Sequence, residues 1–458
     1  MSKKNLLFIA YLYPPAGGKA LPGVQRTVKF VRYLDRFSPW VLTLHPDRYP
    51  DFFTTDNATP LPVAGEKIEY AGTFDLFSVL LRLREMLRPS RNGPSSAADS
   101  APSLPSRNAP AREAAGRFQE IKDLVSGLLR FPDYAHPWIF PAIAKGRELI
   151  RRHDIDAIFA TGMPWTSLTV GWCLKKLTGA KLMVDFRDPW VGNLFASPKP
   201  RLVQRMESGL ERRIVSDADL VSLNTDPLRE EFIERYPHVS PERFVTLPNG
   251  FDDHDFVDIP ELDAPGTAKG EGPGLTVSHA GFLYGMRDPR PLLEAVDLIR
   301  RETPEIAERI RFEQMGDIQL GYDPHQWAAE RNLSDQFLDR GSLPYRECLR
   351  RMAGSDILLI IQQDTLTQIP SKLYEYIYLN KPILTIASRA GALGRAVEAY
   401  GFGEIFTPDE VSGISNYLRR MWRTKAENGR LKAAYPHRTR FDVRRITEEL
   451  ENSLQSIG

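Results

Sequence analysis

Short apolar runs alternate along the chain with longer stretches that return an apolar residue every three or four positions. The first pattern predicts buried strands and the second predicts amphipathic helices. In the first half, strands are expected at NLLFIAYL, PWVLTLH, AIFATG, KLMVDF and LVSLN, with helices over 24–36, 141–153 and 166–178. A second series follows as RFVTLP, LTVSHAG, IRFEQMG, FLDRGS, DILLII and PILTIA, with helices near 289–302, 324–332, 345–353 and 371–379. Strands that alternate with helices build parallel sheets through right-handed crossovers. Two series, parted near Asn249–Pro260, predict an α/β chain of two Rossmann-like domains with parallel sheets facing across a cleft. The expected division is 1–248, 249–410 and a charged helical tail over 411–458 that returns toward the first domain. Residues 89–115, rich in Pro, Ser and Ala, read as a flexible insertion within the first domain, because nothing there can bury enough apolar area to offset the cost of ordering it.

Composition narrows the function classes. At 458 residues the chain is too long for one core. A net charge of +1 gives no global electrostatic case for nucleic acid. Two cysteines, Cys173 and Cys348, exclude a disulfide scaffold and a cysteine metal site, and fit a reducing, cytoplasmic setting. No apolar run approaches the ~20 residues that span a bilayer. The opening MSKKNLLFIAYLYPP starts like a signal peptide but lacks a small-residue cleavage site, so it reads as a first buried strand. The run LFSVLLRLREMLR at 76–88 mixes apolar residues with arginines and suits peripheral contact with the inner face of the cytoplasmic membrane; a core-packed helix with solvated arginines fits it equally.

Open α/β sheets bind ligands beyond the carboxyl ends of their strands, so those loops carry the candidate chemistry. YPPAGGKALPGVQRTVKFVRYL places Gly17 and Gly18 in a turn before a basic helix holding Arg26, Lys29 and Arg32. VDFRDPW sets Asp185, Arg187 and Asp188 directly after an apolar strand, where charges must be paired or used; an Asp–Arg structural pair is the alternative. HAGFLYGMRDP brings Gly281, Gly285 and then Arg287 to a helix start, where an arginine can meet a phosphate or pair with Asp288 or Glu294. PSKLYEYIYLNKPIL starts a helix with Ser371 as the expected N-cap. Lys372 and Glu375, three apart, then share a face beside the unpaired N–H groups of the first turn; a surface pair favoured by the helix dipole is the alternative. FDDHDF at 251–256 has no ligand spacing on a regular element, and no metal is expected there. No HExxH or GxSxG occurs.

In order along the chain, YPPAGG with RTVKFVRYL, DFRDPW, LPNGFD, HAGFLYGMRDP and PSKLYEYIYLNKPIL resemble the landmarks of GT-B glycosyltransferases, and most closely the retaining, nucleotide-sugar-using family 4 type of bacterial polysaccharide and glycolipid pathways. The resemblance implies a donor nucleotide, UDP- or GDP-linked, held mainly by the second domain without a further cofactor, and a saccharide, lipid-linked or small-molecule acceptor on the first. In the family's Glu-x7-Glu element the second glutamate, which meets the ribose, corresponds to Glu375; the first is replaced by Thr367. Of the family's GR-x4-K grip on the diphosphate, Gly281 is kept, Phe282 stands at the arginine and Arg287 at the lysine. Lys372 is then expected to supply the missing charge, so that Arg287, Lys372 and the helix dipole stabilise the departing diphosphate while Glu375 accepts from the ribose. Tyr284, Asn249, Pro370, Ser371 and Leu373 join Gly17, Gly18, Gly281 and Thr367 as implied donor contacts. The family often has a histidine where this chain has Arg187, which leaves Asp185, Arg187 and Asp188 as candidates for acceptor contact or proton handling. The departures at Phe282 and Thr367 keep a second reading open, a catalytically silent GT-B scaffold of a polysaccharide machine; a sugar-nucleotide epimerase shares the fold but needs further carboxylates and histidines.

Overall fold

The computed structural model describes residues 3–17, 21–50, 53–55, 67–74, 117–194, 196–257, 259, 274–363 and 365–457. The expected insertion at 89–115, the run 76–88 and Gly18 lie outside the described residues. The chain forms two compact units, one of Met1–Asn224, Glu231–Thr246 and Thr447–Gly458, the other of Thr225–Glu230 and Leu247–Ile446.

In the first unit, seven parallel strands lie in the order Lys67–Ala71, Phe37–Leu44, Lys4–Ile9, Ile155–Gly162, Lys181–Phe186, Leu220–Leu223 and Phe244–Thr246. The central Lys4–Ile9 pairs on both sides, with Leu7 beside Trp40 and Ile158, and its last four residues have no exposed surface. Burial on both faces is why this strand reads as a continuous apolar run. The helix Ile139–Arg152 buries Ala142, Gly146, Leu149 and Ile150, one stripe at helical spacing. Gly146 lets that helix close on the helix Thr166–Thr178, since a Cβ there would lie 2.6 Å from Leu174 Cδ1. The last helix, Val443–Gln455, ends in this unit, where buried Glu451 accepts from the backbone N–H groups of Asp35 and Arg36 at 2.9 and 2.7 Å.

In the second unit, six parallel strands run in the order Phe337–Asp339, Ile310–Met315, Leu275–Ala280, Ile357–Gln362, Ile383–Ala387 and Glu404–Phe406. Alternate residues of Ile357–Gln362 serve opposite faces. Leu359 and Ile361 join the core with Leu292, Val296 and Ile299 of the helix Arg290–Glu302. Leu358 and Ile360 join the core with Leu373, Tyr374 and Ile377 of the helix Lys372–Tyr378. Counted within its own sheet, each unit follows the doubly wound order, beginning 3-2-1-4-5-6, which reverses between its first and fourth strands.

The expected strands are present, but RFVTLP, expected to open the second series, supplies Phe244–Thr246 at the edge of the first unit's sheet. Sequence reading overlooks the strands Lys67–Ala71 and Glu404–Phe406, and the helices Arg117–Leu129, Arg201–Asp217, Asp226–Arg235 and Ala392–Tyr400. Among the described residues no helix is long and apolar enough to cross a membrane.

Candidate functional site

In the second unit the strand order reverses between Leu275–Ala280 and Ile357–Gln362, and the loops beyond these two strands carry the densest chemistry. Arg287 turns back over its own loop, with its N–H bonded to Tyr284 O at 2.8 Å and its guanidinium over the Tyr284 ring. Its Nε and Nη2 both donate to Gln362 Oε1, at 3.2 and 3.0 Å. Gln362 is held in turn by its Nε2 donating to Thr365 Oγ1 at 2.7 Å. The arginine thus turns to Gln362, while Asp288 is engaged by Arg290 and by the Tyr322 hydroxyl.

Lys372 reaches the same place from the next segment. Its ammonium passes over Gly281, where a Cβ would stand 2.5 Å from Nζ and 2.7 Å from Cε. Gly281 has φ +140, so a glycine is required there for its backbone as well as for the lysine. Burial and the neighbouring Arg287 charge push the Lys372 pKa down, against the opposing pull of Glu375. Glu375 lies one turn on and accepts the Tyr345 hydroxyl at 2.9 Å. Two cations, one half-buried and the other oriented by a buried amide, thus stand together in one loop cluster. Such an arrangement is costly unless an anion completes it.

Beneath Lys372 lies His279, which is 3% exposed. Gln314 Nε2 donates to Gly281 O at 2.7 Å and Gly316 O at 3.1 Å, which fixes the amide with Oε1 toward His279 Nδ1 at 2.8 Å. His279 therefore carries a proton on Nδ1. Burial, with the Lys372 charge next, pushes its pKa down to about 3.

In the first unit, Asp185 has no exposed surface and a closed set of partners. Arg26 donates to both its oxygens at 3.1 and 2.9 Å, Thr161 at 2.8 Å and Ser222 at 2.6 Å. Burial alone would raise its pKa, but Arg26 and these hydrogen bonds hold it below the ordinary carboxylate value. Arg187 is half-buried and anchored by the carbonyls of Gly162 and Met163, with its guanidinium packed where a Cβ of Gly23 would fall. Burial, with Arg26 nearby, pushes the Arg187 pKa down, while Asp185 and Asp188 oppose the shift. Half-buried Asp133 meets Thr166 through its N–H and hydroxyl and Ala135 through its N–H; burial nevertheless raises its pKa.

Several expectations need correction. Asp185 is spent on the Arg26 pair, the structural alternative, and offers no oxygen for proton handling. Leu373 is 1% exposed within the core, so its side chain is packing and not a donor contact. Ser371 is already in the αR region and makes no side-chain cap; Leu373 N and Tyr374 N instead bond back to Pro370 O and Ser371 O. Gly17 is not in an open turn but in the two-residue strand Ala16–Gly17, paired with Thr54–Thr55. The acids of FDDHDF hold local structure: Asp252 accepts from His254 N and Asp253 pairs with Arg444. Thr367 is half-buried with its carbonyl bonded by Thr225 Oγ1 at 2.6 Å, Pro370 is half-buried beside it, and Asn249 is half-buried in the loop after Phe244–Thr246. Phe282 stacks on Tyr284 at 4.9 Å. Sequence reading misses Gln362, His279, Gln314 and Tyr345. The first two were findable as polar residues near the carboxyl ends of buried strands.

Residues 100–250 match the glycosyl transferase 4-like domain. A D-inositol 3-phosphate glycosyltransferase of Stackebrandtia nassauensis is 24% identical over 254 residues, 52% of this chain and 54% of that protein. The chain thus spans about half the length of the curated relative it matches. Among solved structures, a glycosyltransferase from Rickettsia africae aligns with a TM-score of 0.56 at 11% identity, covering 100% of this chain and 99% of that one. HepE of Anabaena in complex with UDP-glucose aligns with a TM-score of 0.56 at 17% identity, over 99% and 100% of the two chains. With its two Rossmann-like units of parallel strands, the chain has the GT-B fold, and its segment 100–250 is similar to the glycosyl transferase 4-like domain.

Proposed function

We propose that this chain is a glycosyltransferase that binds a nucleoside-diphosphate sugar on its second unit and transfers the sugar, with retention, to a saccharide, lipid-linked or small-molecule acceptor. The observation that carries the reading is the pair of cations Lys372 and Arg287 beside the strand-order reversal. A diphosphate supplies an anion that both cations can share, and Glu375, on the face of Lys372, suits the ribose hydroxyls. In the reaction the bond between the anomeric carbon and the diphosphate oxygen breaks and a bond to the acceptor oxygen forms. The acceptor hydroxyl gives up its proton, and negative charge grows on the leaving diphosphate. Fixed positive groups aimed at that charge stabilise the transition state more than the ground state, without requiring a metal. Arg187 and Asp188, at the carboxyl end of a strand in the first unit, are the candidates for acceptor contact. The UDP-glucose complex of HepE, which shares the fold, supports a nucleotide sugar as donor. A lipid-linked acceptor would place the chain at the inner face of the cytoplasmic membrane.

Calorimetric titration with UDP, GDP, ADP and dTDP, each without added metal, tests the reading on wild type, Lys372→Ala and Arg287→Ala. One nucleotide should bind, and each substitution should weaken it by about tenfold or more, the scale of a lost charged hydrogen bond. Silence from all four would favour the scaffold reading, in which Phe282 stands where the family grips phosphate and no donor is bound.

A further inference from the structure

We propose that the helices Arg117–Leu129 and Arg201–Asp217 of the first unit form a docking face for a bilayer that contains anionic lipid. Each helix breaks a local rule, and each does so in the direction such a surface rewards. The helix Arg117–Leu129 turns a glycine inward and large apolar residues outward. Gly127 closes on the neighbouring helix, where a Cβ would stand 2.8 Å from Val203 Cγ2. Val125 and Leu129 lie two residues to either side of Gly127, so both point about 200° away from it. They are 48% and 43% exposed, with Leu128 exposed beside them. A surface helix ordinarily turns that stripe toward a core.

The helix Arg201–Asp217 is charged against its own dipole. Arg201 stands in the first turn, where positive charge is disfavoured, and no acid accompanies it there. Arg201, Arg205 and Arg212 share one exposed stripe by their spacing. Among the described residues, none of these three guanidinium groups has an ion pair or hydrogen bond. Glu207 and Glu211 face the other way, buried against Lys199, Arg235 and Tyr236. Leu202, next to the stripe, is 49% exposed. Apolar side chains beside a row of unpaired cations match the two layers of a membrane surface. The valine and leucines enter the acyl boundary while the arginines meet lipid phosphates. Nucleic acid would satisfy the arginines and leave the apolar residues uncovered. A second copy on a two-fold axis would bring the same arginines toward one another. The face is built from residues outside the run 76–88 and does not depend on the donor reading, whose site lies on the second unit.

The test is flotation with vesicles of phosphatidylcholine, alone or with about one-third phosphatidylglycerol. It compares wild type with two variants, Arg201→Gln with Arg205→Gln and Arg212→Gln, and Val125→Ser with Leu129→Ser; a thermal melt confirms that each is folded. Wild type should bind the anionic vesicles about tenfold or more tighter than the neutral ones, and less tightly in about 0.5 M salt. Loss of the three arginines should weaken that binding on the order of a hundredfold, at about fivefold per charge. The serine pair should weaken it about tenfold. If one variant melts early, the other still decides. No binding by wild type, equal binding to neutral and anionic vesicles, or full binding by a folded variant would overturn the proposal. A dimer of the free protein that the serine pair abolishes would assign the face to a second copy instead. Nucleotide titration of both variants should match wild type, so failure of the membrane face leaves the donor reading standing, and the reverse.

Discussion

Lys372 occupies the space that a side chain at Gly281 would need, with Nζ 2.5 Å from the position of the missing Cβ. The flexible end of a lysine can move aside, so the clash in Gly281→Ala is relieved by displacing the ammonium. The backbone cannot adjust as cheaply, because φ is +140 and such conformations cost an L-residue of order 1–3 kcal/mol. Gly281→Ala should therefore lose about that much stability in urea unfolding and weaken the nucleotide by about tenfold, as a misplaced charge would. Unchanged affinity in a folded variant would separate Lys372 from the ligand.

Lys372 also predicts a pH dependence. Its folded pKa lies below the ordinary lysine value, by burial and by Arg287. Between the two values the unfolded chain holds a proton that the folded chain lacks, so stability rises with pH across that window. A bound diphosphate favours the protonated form, so binding in the same window takes up protons and weakens as pH rises. Titrations in two buffers of different ionisation enthalpy should show proton uptake for wild type and less for Lys372→Met. Equal uptake by both proteins would assign the proton elsewhere.

Most of the strand framework was legible, because strands buried on both faces are written as apolar runs. Lys67–Ala71 escaped since it is an edge strand, exposed or half-buried except at Ala71. Glu404–Phe406 escaped because it is three residues long. The helix Arg201–Asp217 hides its stripe by burying two glutamates, Glu207 and Glu211, satisfied by Lys199, Arg235 and Tyr236. The candidate site was legible where local spacing decides, as for Lys372 and Glu375. It was not where a partner comes from far along the chain. Tyr345 stands 30 positions from Glu375, and Arg26 stands 159 from Asp185. A charge at a strand end looks the same in sequence whether it serves a ligand or a buried ion pair.

That buried pair has its own consequence. Arg26→Met would leave the Asp185 carboxylate without its main compensation, with Thr161 and Ser222 still donating. Breaking one side of a buried pair costs about 3–5 kcal/mol. The expected result is a large drop in the urea midpoint for Arg26→Met and for Asp185→Asn. A double replacement, Arg26→Met with Asp185→Leu, should lose less than the two single losses combined. A strictly additive double variant would mean that the two side chains do not act as one pair.

The sharpest acid response should come from His279. Burial and the Lys372 charge hold it neutral against the opposing pull of the Gln314 hydrogen bond, with a folded pKa of about 3 against an ordinary value of 6.5. Below pH 6.5 the unfolded chain takes up a proton that the folded chain refuses, so acidification favours unfolding. The loss approaches about 1.4 kcal/mol per pH unit from this one group until the folded value is reached. Carboxylates titrate over part of the same range, so the informative quantity is the difference between wild type and His279→Gln, which keeps a polar side chain and removes the titration. Urea unfolding at pH 7.5, 6 and 5 should show a shallower decline for the variant, with the gap widening as pH falls. Parallel curves would mean that His279 is protonated as readily in the folded chain as in the unfolded one. Lys372 would then have a cation beneath it, and the charge balance argued for a diphosphate would include a third positive group.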